Sequence, residues 1–123
     1  MKTFIETTEF STWQSRFLPG DAYAKLQKEL IANPQTGKVM PGCGGLRKAR
    51  ITDPKRQKGK RGGARVIYLH IPEAHQFLML DIYGKGEKDD LTRAEKKDLR
   101  TLAGEYKKVI VEAARRTKQE PHP

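Results

Sequence analysis

The chain has 123 residues, 36% hydrophobic and 33% charged, which is apolar material for one small core and one domain. No run approaches the ~20 apolar residues of a membrane-spanning helix, the first residues form no apolar signal segment, and a single cysteine, Cys43, excludes an intrachain disulfide and a cysteine-based structural zinc site. Twenty-five Lys and Arg against fifteen Asp and Glu give +10, and residues 47–65 hold nine of those cations and one acid, a clustered field that attracts polyanions, nucleic acid first among them.

In chain order, residues 2–6 read as a short first strand around Phe4 and Ile5. Thr8 is placed to cap a helix over 9–17 whose Phe10, Trp13 and Phe17 share one face and predict core. Pro19-Gly20 breaks the chain, and Asp21 is placed to cap a second helix to about residue 32, with Ala22, Leu26 and Leu30 on one stripe and Tyr23 beside it. Two amphipathic helices across so short a break predict a helical hairpin. Residues 34–45, punctuated by three Gly and two Pro before Gly45, read as a loop.

Three strands should follow, at 46–51, 64–71 and 76–83, the last two rich in β-branched and aromatic residues and joined by a tight connection at 72–75. Between the first two lies a basic, glycine-rich loop of a length that is commonly functional. Thr92-Arg93-Ala94-Glu95 has capping-box spacing and should open a last helix with Leu99, Leu102, Ala103, Tyr106 and Ile110 on its apolar face. The order β-α-α-β-β-β-α predicts an α+β fold: one domain over 1–118, a helical hairpin on a twisted antiparallel sheet of three to four strands, helices gathered on one side, and a frayed tail at 119–123.

Familiar catalytic patterns fail. Gly59-Lys60 runs into Arg61 where a phosphate-binding loop needs Ser or Thr, and Arg47 stands where a dinucleotide fold would place its third glycine. His70 and His75 sit five apart with no evident third ligand, so neither metal nor cofactor is expected, and Cys43 has no neighbouring His to activate it. What remains is cations and a tyrosine at strand ends. Lys48 and Arg50 alternate onto one face. Arg65 begins the next strand, and Tyr83, Lys85 and Lys88 close the third. Such groups can surround one phosphate, with Arg binding it bidentately, Lys as a point charge and Tyr stacking on a base. Whether the site only binds or also cleaves is open on residues alone. Metal-free cleavage needs charge stabilisation at phosphorus, a base for the ribose 2′-OH and an acid for the leaving oxygen.

Gly44-Gly45-Leu46-Arg47-Lys48-Ala49-Arg50, residues 59–68 (Gly-Lys-Arg-Gly-Gly-Ala-Arg-Val-Ile-Tyr) and residues 83–92 (Tyr-Gly-Lys-Gly-Glu-Lys-Asp-Asp-Leu-Thr) together resemble the RelE superfamily of bacterial toxins, in its HigB-type branch. The resemblance implies a toxin of a type II toxin–antitoxin system, a ribosome-dependent mRNA endonuclease using 2′-OH attack, and the lack of a membrane span, signal segment and cysteine pair points to the cytosol. It further implies a HigA-like helix-turn-helix antitoxin as partner, and operator DNA reached through the antitoxin complex. By the same resemblance Arg65 stabilises the scissile phosphate, Lys48 and Arg50 are the basic pair with the general base among them, and Lys85 is the strand-end group. Arg47, Lys55, Arg56, Lys58, Lys60, Arg61, Tyr83 and Lys88 would hold mRNA or ribosome. The Glu base and strand-end His of some members have no counterpart; Gly84 precedes Lys85. The rival readings are a non-catalytic RNA-binding protein and an inactive relative acting only with its antitoxin.

Overall fold

The computed structural model describes residues 3–51, 63–84 and 90–119. Within them the chain runs β1 (Phe4–Glu6), α1 (Thr8–Phe17), α2 (Gly20–Ala32), β2 (Lys38–Val39), β3 (Arg47–Ile51), β4 (Ala64–Ile71), a 3-10 turn at Pro72–Ala74, β5 (Gln76–Gly84) and α3 (Arg93–Gln119). The strands form one sheet in the order β1-β5-β4-β3-β2. The fold class is the α+β expected, with three corrections.

The first concerns the sheet, which has five strands and is mixed. β2–β3, β3–β4 and β4–β5 are antiparallel, but β1 lies parallel to β5, Phe4 opposite Phe77. The Phe4 and Phe77 rings stack at 5.0 Å. Elements of three and two residues are too short to print a period on the sequence, which is why Lys38–Val39 reads as loop and the direction of β1 does not show.

Helix placement is the second. The helices cover both faces rather than one. β4 is apolar on both sides, and a strand buried on both faces needs two covers. Val66 and Tyr68 face the hairpin and share a core with Phe10, Leu18, Tyr23, Leu26, Leu30, Phe77 and Met79. Ile67, Leu69 and Ile71 face α3 and share a core with Leu78, Leu80, Leu91, Ala103 and Ile110. Fully burying a side chain of this size stabilises the fold by about 1.5–3 kcal/mol.

Helix entries supply the third. Thr7, not Thr8, caps α1, its hydroxyl accepting from Phe10 N at 3.2 Å and donating to Leu80 O at 2.8 Å. Pro19 precedes α2, so Asp21 lies inside its first turn. The capping box of α3 forms as predicted: Thr92 N donates to Glu95 Oε1 at 2.8 Å and Glu95 N to Thr92 Oγ1 at 3.1 Å. Trp13 is not core. It is 37% exposed at a rim, with the Arg16 guanidinium over its ring at 5.6 Å. No helix among the described residues is long and apolar enough to cross a membrane. Except for Gln119, which closes α3, the expected tail lies outside the described residues.

One irregularity positions the site. Opposite β4, Ile67 pairs with Asp81 but Tyr68 pairs with Met79, so Leu80 is an extra residue in β5. A bulge of this kind shifts the alternation of every residue beyond it. Before it, Leu78 and Leu80 face α3; after it, Tyr83 does and Ile82 turns to the hairpin.

Candidate functional site

The shift aligns a row across the α3-side face. Arg50 on β3 lies directly opposite Arg65 on β4, and Arg65 lies directly opposite Tyr83 on β5. The next row holds Lys48, Ile67 and Asp81. Directly opposed residues have Cβ atoms about 4.5–5.5 Å apart, where like charges repel. Two arginines set side by side are therefore a local cost to folding that an anion would offset.

Arg65 is the sharpest member. It is only 6% exposed, although Arg is almost never buried without a partner. Among the described residues no carboxylate lies within ion-pair distance of it, and its hydrogen bond runs to its neighbour Ala64 O at 3.5 Å. Gly63, just before it, allows the close approach of the Ile51 backbone at the end of β3. A Cβ there would collide with the Ile51 carbonyl and come within 3.6 Å of the Arg65 guanidinium.

Lys48 is engaged differently. Its Nζ lies 3.2 Å from Asp90 Oδ1, and Lys96 Nζ lies 3.3 Å from Asp90 Oδ2. The sequence placed Lys48 among cations; the structure gives it an anion. To act as base it must first part from Asp90. The Asp90 carboxyl is held below its ordinary value by the Leu91 N–H, which donates to it at 2.7 Å, and then by the two lysines. Nothing local in the sequence announces this clamp, since Lys48 and Asp90 are 42 residues apart.

Two expected RNA contacts are placed elsewhere. Arg47 opposes Tyr68 and so lies on the hairpin face, where its guanidinium donates to Gln35 O at 3.0 Å and Gly37 O at 3.1 Å. It fastens the loop after α2, as does the Tyr68 hydroxyl by donating to Thr36 O at 2.6 Å and Pro34 O. Tyr83, expected to stack on a base, is 3% exposed and belongs to the core. Burial first, and then the Asp90 charge, pushes its phenol up to about 12, so it stays protonated at working pH and is a proton donor rather than a base. Lys85 and Lys88, and Lys55, Arg56, Lys58, Lys60 and Arg61, lie outside the described residues. The described ends of both segments are at this edge: Ile51 and Gly63 bound one, Gly84 and Asp90 the other.

His70 and His75 stand apart from the row. His70 stacks on Phe77 at 4.7 Å, and burial lowers its pKa. His75 takes the left-handed conformation, φ 54°, at the end of the 3-10 turn. Among the described residues no group of three His, Cys, Asp or Glu side chains is placed to hold a metal ion. A 240 Å³ groove opens along the edge of β5 beyond the end of β1, between Trp13 and Phe17 on one wall and Glu95 on the other. Glu9 and Asp81 join Glu95 in its lining and make it acidic, and Tyr83 of the row lines it too, so the groove adjoins the row at its β5 end. The edge itself is partly closed, because the Ile82 N–H donates to its neighbour Asp81 Oδ1 at 2.9 Å.

The row sets two arginines side by side, where an oxyanion can lie against them, with the neutral Tyr83 phenol buried next in line. No family model matches the chain.

Proposed function

We propose that this chain is the toxin of a type II toxin–antitoxin system, a ribosome-dependent mRNA endonuclease of the RelE kind that works in the cytoplasm under the control of a helix-turn-helix antitoxin. The observation that carries the reading is the buried Arg65 set directly beside Arg50, a pairing that suits an oxyanion such as a phosphate. The RelE-like motifs at residues 44–50, 59–68 and 83–92 supply Arg50, Arg65 and Tyr83 of that row and the Asp90 clamp.

In this reading Arg65 neutralises the charge that develops on the scissile phosphate as the neighbouring ribose 2′-OH attacks. The phosphodiester P–O5′ bond breaks as the new P–O2′ bond forms, leaving a cyclic phosphate and a 5′-hydroxyl. Arg keeps its charge at any working pH, so it serves as an electrostatic clamp rather than a proton carrier. The 2′-OH proton passes to Lys48 in its neutral form, once RNA binding has separated it from Asp90, and solvent water protonates the leaving 5′ oxygen. The described residues offer no preset acid–base pair, so alignment of the 2′-OH falls to the ribosome, and naked RNA is a poor substrate.

The test is induction of the chain without a partner, followed by primer extension on cellular mRNA. Growth arrest with cuts in translated frames, both lost in Arg65→Ala, is the expected result. Unchanged growth and intact mRNA from soluble protein would sink the reading and leave a binding module in its place.

A further inference from the structure

A second cationic surface lies on α3. At 3.6 residues per turn, Arg93, Lys97, Arg100, Lys107, Lys108 and Arg115 fall within one flank about 100° wide and about 33 Å long. All six are exposed. The acids are segregated: Asp98, Glu105 and Glu112 lie to one side of this flank, and Leu102, Ala103, Tyr106 and Ile110 lie on the side turned to the sheet. Lys107 meets Glu73 at 3.9 Å. Among the described residues the other five have no carboxylate within ion-pair distance.

Gly104 stands in the middle of this flank. Inside a helix a glycine costs about 1 kcal/mol relative to alanine. Nothing in the fold asks for it, since a Cβ at Gly104 would meet no atom within 4 Å. A helical glycine with open space above it, ringed by Arg100, Lys107 and Lys108, lowers the surface where a partner's backbone can come close.

We propose that this flank of α3 docks the phosphate backbone of folded RNA, with Gly104 at the point of closest approach. It deepens the reading above by naming a surface that grips RNA away from the cleavage row, and it rests on that reading for the choice of RNA over other polyanions. The flank carries charge with no Asn or Gln to read base edges. That composition fits the shape-and-phosphate recognition by which RNA helices are held.

The experiment measures binding of the full chain to ribosomes and to an RNA duplex of roughly 20 base pairs, above the ~16 that double-stranded-RNA domains span, over a range of salt. A matched DNA duplex runs beside it. Replacing Lys97, Arg100, Lys107 and Lys108 together with Gln should weaken RNA binding at least tenfold. The slope of log K against log salt should flatten by about 3, since each phosphate no longer neutralised removes roughly 0.7–0.9 from it. Gly104→Gln should melt at the same temperature as wild type or higher, yet bind RNA about tenfold more weakly. Wild-type affinity and slope in both variants overturn the proposal. So does a loss confined to DNA, which would assign the flank to a DNA duplex instead. Neither assay needs turnover. A chain that binds through this flank but never cuts mRNA keeps the docking surface and loses the nuclease, and a cutting chain indifferent to these substitutions does the reverse.

Discussion

The two faces of the sheet are made from the same strands and do opposite things. On the hairpin side, alternate residues of β4 and β5 meet α1 and α2 in a closed core that includes Phe10 and Tyr68, both fully buried. Tyr23 there donates to Glu6 Oε2 at 2.6 Å, and burial, with that bond second, raises its pKa. On the other side, α3 covers Leu69, Ile71, Leu78 and Leu80, but the row of Arg50, Arg65 and Tyr83 adds charge to that face. One face is built for stability and the other carries a local cost. Among the described residues that cost is a charge with no carboxylate at ion-pair distance, held in place by packing on the reverse of the same strand, and in the proposed function a bound polyanion would offset it.

The sharpest way to break the comparison is to exchange the penalties. Phe10→Ala on the closed face should destabilise folding by about 3–5 kcal/mol, since it empties a fully buried site; urea unfolding would measure it. Arg65→Ala should cost about 3 kcal/mol in the transition state, roughly a hundredfold or more in single-turnover cleavage on ribosomes. The same variant should leave the unfolding midpoint unchanged or raised, because it removes a buried charge opposite Arg50. A large loss of stability in Arg65→Ala would mean that the arginine is structural and the contrast between the faces false.

Smaller effects sharpen it. Thr92→Ala should cost about 1 kcal/mol through the lost capping box and shift thermal unfolding with little change in RNA affinity. Asp90 supplies a pH signature. Its carboxyl titrates below the ordinary 3.8 in the folded chain, so its ionised form favours folding above that value. That contribution fades as pH falls through the lowered folded value. It is small, since the side chain is half exposed. Acid unfolding of Asp90→Asn should lack this last component, and a wild-type acid profile in the variant would place the clamp outside the folding balance.

Much of the architecture is legible in the residues. The apolar spacing of Leu26 and Leu30, the β-rich runs at 64–71 and 76–83 and the Thr92–Glu95 box each specify an element through local chemistry. Lys48 and Arg50 can be singled out because strand alternation puts both on one face, and Arg65 because it opens the next strand within a motif that resembles the RelE-type one. Other features depend on registers between distant segments. Two arginines become neighbours only when β3 meets β4, Lys48 finds Asp90 only when α3 returns, and Arg47 is drawn away by carbonyls of a loop ten or more residues upstream. Tyr83 misleads for a related reason: as a strand-end aromatic it reads as exposed, but its face is set by an inserted residue whose position no composition reveals.

That inserted residue, Leu80, acts as a phase shift in an alternating signal. Upstream of it, even-numbered positions of β5 look toward α3; downstream, odd-numbered ones do. A single strand can therefore serve an apolar layer with one parity and a charged row with the other, with no change of direction. Iron the bulge out with Leu80 kept in regular pairing, and the amino acids of the strand's far end remain but their faces are inverted. Tyr83 then points into the hairpin core and Ile82 stands beside the arginine pair. The cationic row is thus encoded less by which residues the strand end contains than by the bulge before it.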